Sequence, residues 1–296
     1  MLTISFNAAA SLTVDGTRDA GYGPALSVQT VETGFGDNFS EWDAGYAKIE
    51  SGVLYLMLTG NMEANFNKLN IFIDSKAGGQ SVFDSSGNDN SQAMDGLVFD
   101  VGFLADYHLD IRRGTDSGNQ TFCLDFADLG AQTASQYLDI MSGSGLEGTG
   151  TTGTGVNAGA ILVGYNNSNI AGVGGGAPNA ADQTAAAAVT TGLELAISLA
   201  DLGYVSGDIR VMIGQNNQGQ NYWSNQFLGG LTAPQGNLGG DGNGSFTGEG
   251  AIDFTTLAGD QFFTVAPVPE PSTYAAGIAA LLAGIIVMRR RKVVRS

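Results

Sequence analysis

One histidine, one cysteine and 29 acidic residues bound the chemistry open to this 296-residue chain. With only His108 and Cys123, a Ser-His-Asp constellation or a His/Cys-clustered metal site is nearly excluded. His108 sits beside Leu109 and Ile111 in an alternating apolar pattern and reads as a structural or surface residue rather than a catalytic base. Cys123 falls on the face opposite Phe122 and Leu124, where a packed, inert thiol is expected rather than a nucleophile. Paired carboxylates would suffice for a glycosidase, yet no short motif selects a pair among so many acids. No catalytic residue is assigned.

Two other constellations carry binding chemistry. Asp84, Asn88, Asp89 and Asn90 form one oxygen-rich loop, and Asn237, Asp241 and Asn243 form another. Ca²⁺ takes carboxylate and carbonyl ligands, so Asp84, Asp89 and Asp241 are its candidate ligands. Neither loop has EF-hand spacing, and Asn and Asp favour turns for reasons of their own. No other cofactor is expected. Trp42 with Tyr46, and Tyr222 with Trp223, are the candidate glycan contacts, since aromatic faces stack on sugar rings. Most such residues in an all-β domain pack in its core or rim.

The charge is unevenly placed. Five of the twelve cations and a single acid, Glu270, lie beyond residue 267. Residues 1–267 therefore carry 7 cations against 28 acids, a net charge of −21. Such a surface repels nucleic-acid phosphates and anionic lipid, so no nucleic-acid partner is expected.

The elements that must position these residues are strands. Leu193, Leu195, Ile197 and Leu199 alternate with Glu194, Ala196 and Ser198; Ile209, Val211 and Ile213 do the same, as do Leu69, Ile71 and Ile73. Shorter runs of this period follow at Leu109 and Ile111 and at Phe122, Leu124 and Phe126. A period of two puts one face on a core and the other in water. Residues 53–58 are apolar at every position and predict a central strand covered on both faces. Asp15-Gly16, Ser51-Gly52, Gly78-Gly79 and Ser206-Gly207 separate the runs as turns. Residues 179–189, rich in Ala, are the one helical segment expected in the body. Residues 142–159, mostly Gly, Thr and Ser, predict a long mobile loop, and residues 229–250 are rich in Gly and Asn. The expected fold class is all-β: one jelly-roll-like β-sandwich over residues 1–267 with a short Ala-rich surface helix.

At the amino end, residues 1–12 hold no Lys or Arg and only a weak apolar stretch. Ala8-Ala9-Ala10 fits the cleavage region of a secretory signal whose start lies upstream; residues 2–6 fit a first strand equally well.

The carboxyl end is more specific. Pro269-Glu270-Pro271 is followed by residues 274–288, fifteen residues without a charge, and then by Arg289, Arg290, Arg291 and Lys292. As a helix the apolar run spans roughly 22 Å. With Ser272 and Thr273 and snorkelling arginines it reaches across a thin bilayer. The basic cluster acts as a stop-transfer signal and stays cytoplasmic, which leaves the body outside. The two prolines hold an extended, acidic segment at the membrane surface. Ala276, Ala280 and Gly284 give the helix a small-residue face.

This ordered triad resembles the PEP-CTERM sorting signal: motif 268–272, membrane helix 273–288 and basic tail 289–292. The resemblance implies an exported protein anchored in the inner membrane, then cleaved by an exosortase, a membrane-embedded cysteine transpeptidase-like enzyme, and passed to the cell surface or biofilm matrix. The body resembles a β-sandwich that recurs with this tail. The matching residues are Val14-Asp15-Gly16, Gly21-Tyr22-Gly23, residues 56–60, Phe72-Ile73-Asp74-Ser75, residues 192–203 and residues 261–265. The overall form is similar to family 9 carbohydrate-binding modules, and no ligand residue carries over. The expected function is a non-catalytic surface or matrix protein; a glycan-binding module of the extracellular polysaccharide is the alternative, and a secreted carbohydrate-active enzyme the third.

Overall fold

The computed structural model describes residues 12–116, 118–143, 147–246 and 252–267. In chain order the described strands are β1 (Ser27–Val28), β2 (Glu41–Glu50), β3 (Val53–Asn61), β4 (Lys68–Asp74), β5 (Tyr107–Asp116), β6 (Asn119–Asp128) and β7 (Thr133–Tyr137). They continue as β8 (Met141–Gly143), β9 (Glu147–Thr151), β10 (Leu162–Asn166), β11 (Gly192–Ser198), β12 (Ile209–Asn216), β13 (Trp223–Leu228) and β14 (Phe262–Val265). All pair antiparallel, in two sheets. The first runs β1-β2-β3-β11-β10-β9-β8, and the second runs β13-β12-β4-β5-β6-β7 with β14 against β12. The expected all-β class stands.

The core between the sheets follows the period of two. Leu195, Ile197, Ile209, Val211, Ile71 and Ile73 are all fully buried in it, as the alternation predicts. Ser51 and Gly52 join β2 to β3 in a two-residue hairpin with φ of 53° and 79°. Positive φ at both positions gives the turn a twist that matches its strands. Strand β3 lies between β2 and β11, and its residues from Leu56 onward are covered on both faces.

The expectation of one wet face fails. Every residue of β4 is buried, including Asn70 and Phe72 on the face away from the main core. Residues 75–106, 229–246 and 252–261 fold back over the outer face of the second sheet. There Phe72, Phe83, Phe99, Met212, Phe227 and Phe254 form a second core. Burying each such ring is worth about 2–3 kcal/mol, enough to hold long connections against a sheet. On the first sheet, Tyr22, Ala44, Tyr46 and Met57 form a third, smaller cluster.

Two further expectations are corrected or sharpened. Residues 142–159 are not one long loop: β8 pairs β9 and β9 pairs β10. Thr favours extended backbone, and glycine lets strands close up where a side chain would not fit; a Cβ at Gly150 would strike the Ile140 carbonyl. The Ala-rich segment forms α1 (Gln183–Ala188), shorter than expected, with Asp182 capping the Thr184 and Ala185 amides at 2.9 and 3.1 Å.

The chain divides into two units, Met1–Ala266 and Pro267–Ser296. Among the described residues no helix is long and apolar enough to cross a membrane. Pro269, Glu270 and Pro271, the 273–288 helix, and Arg289, Arg290, Arg291 and Lys292 lie outside the described residues.

Candidate functional site

Register places the site. On the outer face of the second sheet, β4, β5 and β6 align three rows: Lys68, Arg112 and Cys123; Asn70, Asp110 and Asp125; Phe72, His108 and Ala127. One row is mainly cationic, the next mainly acidic, and the third apolar and aromatic. The same alternation that puts Leu69, Ile111 and Leu124 into the core thus stacks charges on the other side.

The rows form a bonded network. Arg112 Nη1 lies 3.2 Å from both Asp110 Oδ1 and Asp125 Oδ1. Arg112 Nε lies 2.5 Å from Asp89 Oδ2, and Lys68 Nζ lies 2.8 Å from the same oxygen. Gln220 donates to Asp110 Oδ2 at 2.7 Å, and Gln136 to Asp125 Oδ2 at 3.3 Å. Burial pushes Asp110 up to about 7, against the pull of Lys68 and Arg112. Asp125 is raised by the same burial. Burial works against the charge on Arg112 too, but Asp110, Asp125 and Asp89 outweigh it and hold the guanidinium above its usual range.

His108 is fully buried beneath this network. Its Nε2 is 2.8 Å from Asn70 Oδ1 and its Nδ1 is 3.4 Å from Asn88 Nδ2. Burial first, then the nearby Lys68 charge, lowers its pKa to about 3. Phe72 stacks on it at 4.6 Å. A neutral imidazole donating to one amide and accepting from another is a structural group with no path to solvent.

Above Lys68, Arg112 and Cys123 opens a cleft of ≈ 500 Å³. Asp89 and Asn90 form one wall, with Phe66 and Leu138 as its apolar lining and Asn119 and Gln218 among its polar edges. Phe66 adopts φ 65°, uncommon for a bulky residue, and donates its backbone amide to the Arg113 carbonyl at 2.8 Å. Its ring lies where Gly114 has no side chain. Thr121 donates its hydroxyl to Asp139 at the floor's edge. The cleft combines fixed donors, fixed acceptors and two apolar surfaces, which suits a polar ligand with some nonpolar face.

The aromatic and Ca²⁺ candidates are largely displaced. Trp42 is fully buried and donates its indole N–H to Gln215 Oε1 at 2.9 Å. Tyr46 lies under Arg18, whose guanidinium sits 4.8 Å from the ring centre. Trp223 packs on Phe227 in the second core. None of these three has a free face for a sugar: Trp42 lies in the core between the sheets, and Tyr46 and Trp223 lie in the clusters on the outer faces. Tyr222 is half-buried, stacked between Phe35 at 6.1 Å and Phe246 at 4.3 Å; of these three, Phe246 is the most open, at 67% exposure.

Asp89 is held by Lys68 and Arg112, which occupy the place a cation would take. Asp84 is exposed, and its backbone rather than its carboxylate is bound, through Gln80 and Gln132. Asp241 accepts from the Asn243 and Ser245 amides at 2.9 and 3.1 Å, ordinary turn chemistry. Cys123 is buried, with Thr121 Oγ1 3.5 Å from its sulfur.

Sequence reasoning missed Lys68, Arg112, Asp110 and Asp125. The available signal was their position on alternating strands at aligned register, which requires knowing the pairing. Comparison of the chain with protein-family models, with curated proteins and with solved structures finds no match.

Proposed function

We propose that this chain is an exported, non-catalytic protein of the cell surface or extracellular matrix, delivered and then trimmed through its tail. Delivery is supported by the order of Pro269-Glu270-Pro271, an uncharged stretch and Arg289, Arg290, Arg291 and Lys292 at the carboxyl end. That order resembles an exosortase substrate anchored in the inner membrane before processing. A jelly-roll-like reading of the sandwich is supported by its crossovers: the chain changes sheet from β3 to β4 and again from β11 to β12, and these strands lie side by side in both sheets.

The observation that carries the non-catalytic reading is the state of the chemistry-bearing groups. The one imidazole is buried and neutral between two amides, Asp110 and Asp125 are buried and tied to Arg112, and Asp89 in the cleft wall is paired with both Lys68 and Arg112. A general acid or base needs a mobile proton within reach of substrate, and these groups have none.

The cleft favours a second reading, a module that holds extracellular polysaccharide. Its mixture of cations, acids and apolar rim fits a hydroxyl-rich chain with occasional charge. Retention of the full-length chain on matrix polysaccharide tests it, with Asn119→Ala and Gln218→Ala weakening binding. Equal retention of both variants removes the cleft from the function. Mass spectrometry of the surface fraction tests delivery. Mature protein lacking the tail is expected, and protein retaining residues 274–291 in a strain with an active exosortase would make the tail a plain anchor.

A further inference from the structure

Glu41 and Asp43, at the start of β2, are both fully buried on the first sheet. The register of β2 against β3 slips between Trp42 and Ala44, so Asp43 is the extra residue of a bulge. Bulges re-aim side chains, and this one turns Asp43 toward the loop that follows β10. Asn61 lies directly across from Glu41 in the ladder.

Four oxygens converge there on one nitrogen. Asn169 Nδ2 is 3.3 Å from Glu41 Oε1, 3.1 Å from Asp43 Oδ2, 3.0 Å from Asn61 Oδ1 and 2.6 Å from the Ala171 carbonyl. A primary amide has two protons to give. Two of the four acceptors therefore go without one, although Glu41, Asp43 and Asn61 are all fully buried. No other described donor reaches Asp43 Oδ2 or Asn61 Oδ1. The second carboxylate oxygens accept backbone amides, Glu41 Oε2 from Asn38 and Asp43 Oδ1 from Val173, both at 2.8 Å, and the Glu41 carboxyl also meets that of Asp37.

Among the described residues no cation lies at this place. The seven body cations are engaged elsewhere: Lys68 and Arg112 with Asp89, Lys48 with Glu50, Lys76 with Asp128 and Arg210 with Asp74. Arg18 and Arg113 lie over the rings of Tyr46 and Tyr165. What does lie near is more acid: Asp37 adds its charge to both carboxylates. The covering loop is glycine-rich, and a Cβ at Gly172 would collide with the Asp43 carboxylate.

We propose that Glu41, Asp43, Asn61 and the Ala171 carbonyl bind a divalent cation of the Ca²⁺ type, with Asn169 turning to offer its own oxygen. One such ion balances two carboxylates and uses all four acceptors at once. The donors are all oxygen, drawn from carboxylate, amide and backbone, and irregularly placed. Ca²⁺ accepts such a set, whereas Mg²⁺ demands a near-ideal octahedron and keeps its water. Closing onto Ca²⁺ needs the longer contacts to shorten by several tenths of an ångström. The ion would pin the loop after β10 to the edge of β2, independently of any ligand in the cleft.

The test uses the full-length chain in mild detergent, stripped with EDTA. Ca²⁺ at about a hundredfold excess over its Kd should raise Tm by about 5 °C or more, and Mg²⁺ by much less. Tb³⁺ should show emission sensitised by the neighbouring Trp42, displaced by Ca²⁺. Both effects should vanish in E41Q/D43N, which is expected to fold without metal because its buried charges are gone. Circular dichroism checks that fold; if it is lost, D43N alone is read the same way. A wild-type chain with no Ca²⁺ shift, or a shift of equal size in the variant, overturns the proposal.

Discussion

The two sheets each bury a group of carboxylates, and they differ in what neutralises them. On the second sheet Asp110 and Asp125 face Lys68 and Arg112 across regular ladders, so the counter-charge is built into the register. On the first sheet Glu41 and Asp43 face amides and glycines, with Asp37 adding charge of the same sign. A buried ion pair roughly balances its desolvation by mutual attraction. A buried pair of like charges must bind protons or an external cation. Similar residues in similar burial therefore yield a self-contained polar floor in one place and a demand for a ligand in the other.

The largest effect should come from breaking the self-contained group. Arg112→Met leaves Asp110 and Asp125 with Lys68 alone and should cost about 3–5 kcal/mol in urea denaturation. A loss below about 1 kcal/mol would mean the guanidinium does not hold that floor together.

The other group should show itself through pH. Burial first, partly offset by backbone donors, pushes Glu41 up to about 8 and Asp43 up to about 7, with Asp37 adding to both. Folded values above unfolded ones give stability that is present at low pH and lost as pH rises through them. In EDTA the chain should therefore lose on the order of 2 kcal/mol between pH 6.5 and 9, and much less in Ca²⁺. Asp110, raised to about 7, acts with the same sign, so the difference between wild type and E41Q/D43N isolates the pair. His108 acts the other way at lower pH: its folded value of about 3 removes stability as pH falls below 6.5. Equal pH slopes for wild type and E41Q/D43N in EDTA would erase the distinction between the two groups.

Asn169→Asp sharpens it further. A third carboxylate at the convergence point should destabilise the metal-free chain by about 1 kcal/mol and tighten Ca²⁺ about tenfold, read by calorimetry. The smallest effect belongs to Leu138→Ala on the cleft rim. At 64% exposure it should leave stability within about 0.5 kcal/mol while reducing retention on polysaccharide. Unchanged retention would confine any glycan contact to the polar floor.

The sequence alone determined the inward faces of β4, β11 and β12. Side-chain alternation is a local property, so Ile71, Ile73, Leu195, Ile197, Ile209 and Val211 announce a core without knowledge of their partners. The hairpin at Ser51-Gly52 was legible for the same reason, since turn chemistry resides in the turn. Only the tertiary structure decided what covers the opposite faces. Segments 75–106 and 229–262 carry their aromatic residues without periodicity, and burying Phe83, Phe99 and Phe254 against the second sheet turns Asp110 from expected surface into interior and encloses His108 and Trp223 with it. Both carboxylate groups likewise depend on residues far apart in the chain, Lys68 with Arg112 and Glu41 with Asn169. Their chemistry comes from strand register, a bulge and a loop crossing, and these are fixed by long-range packing that no local spacing records.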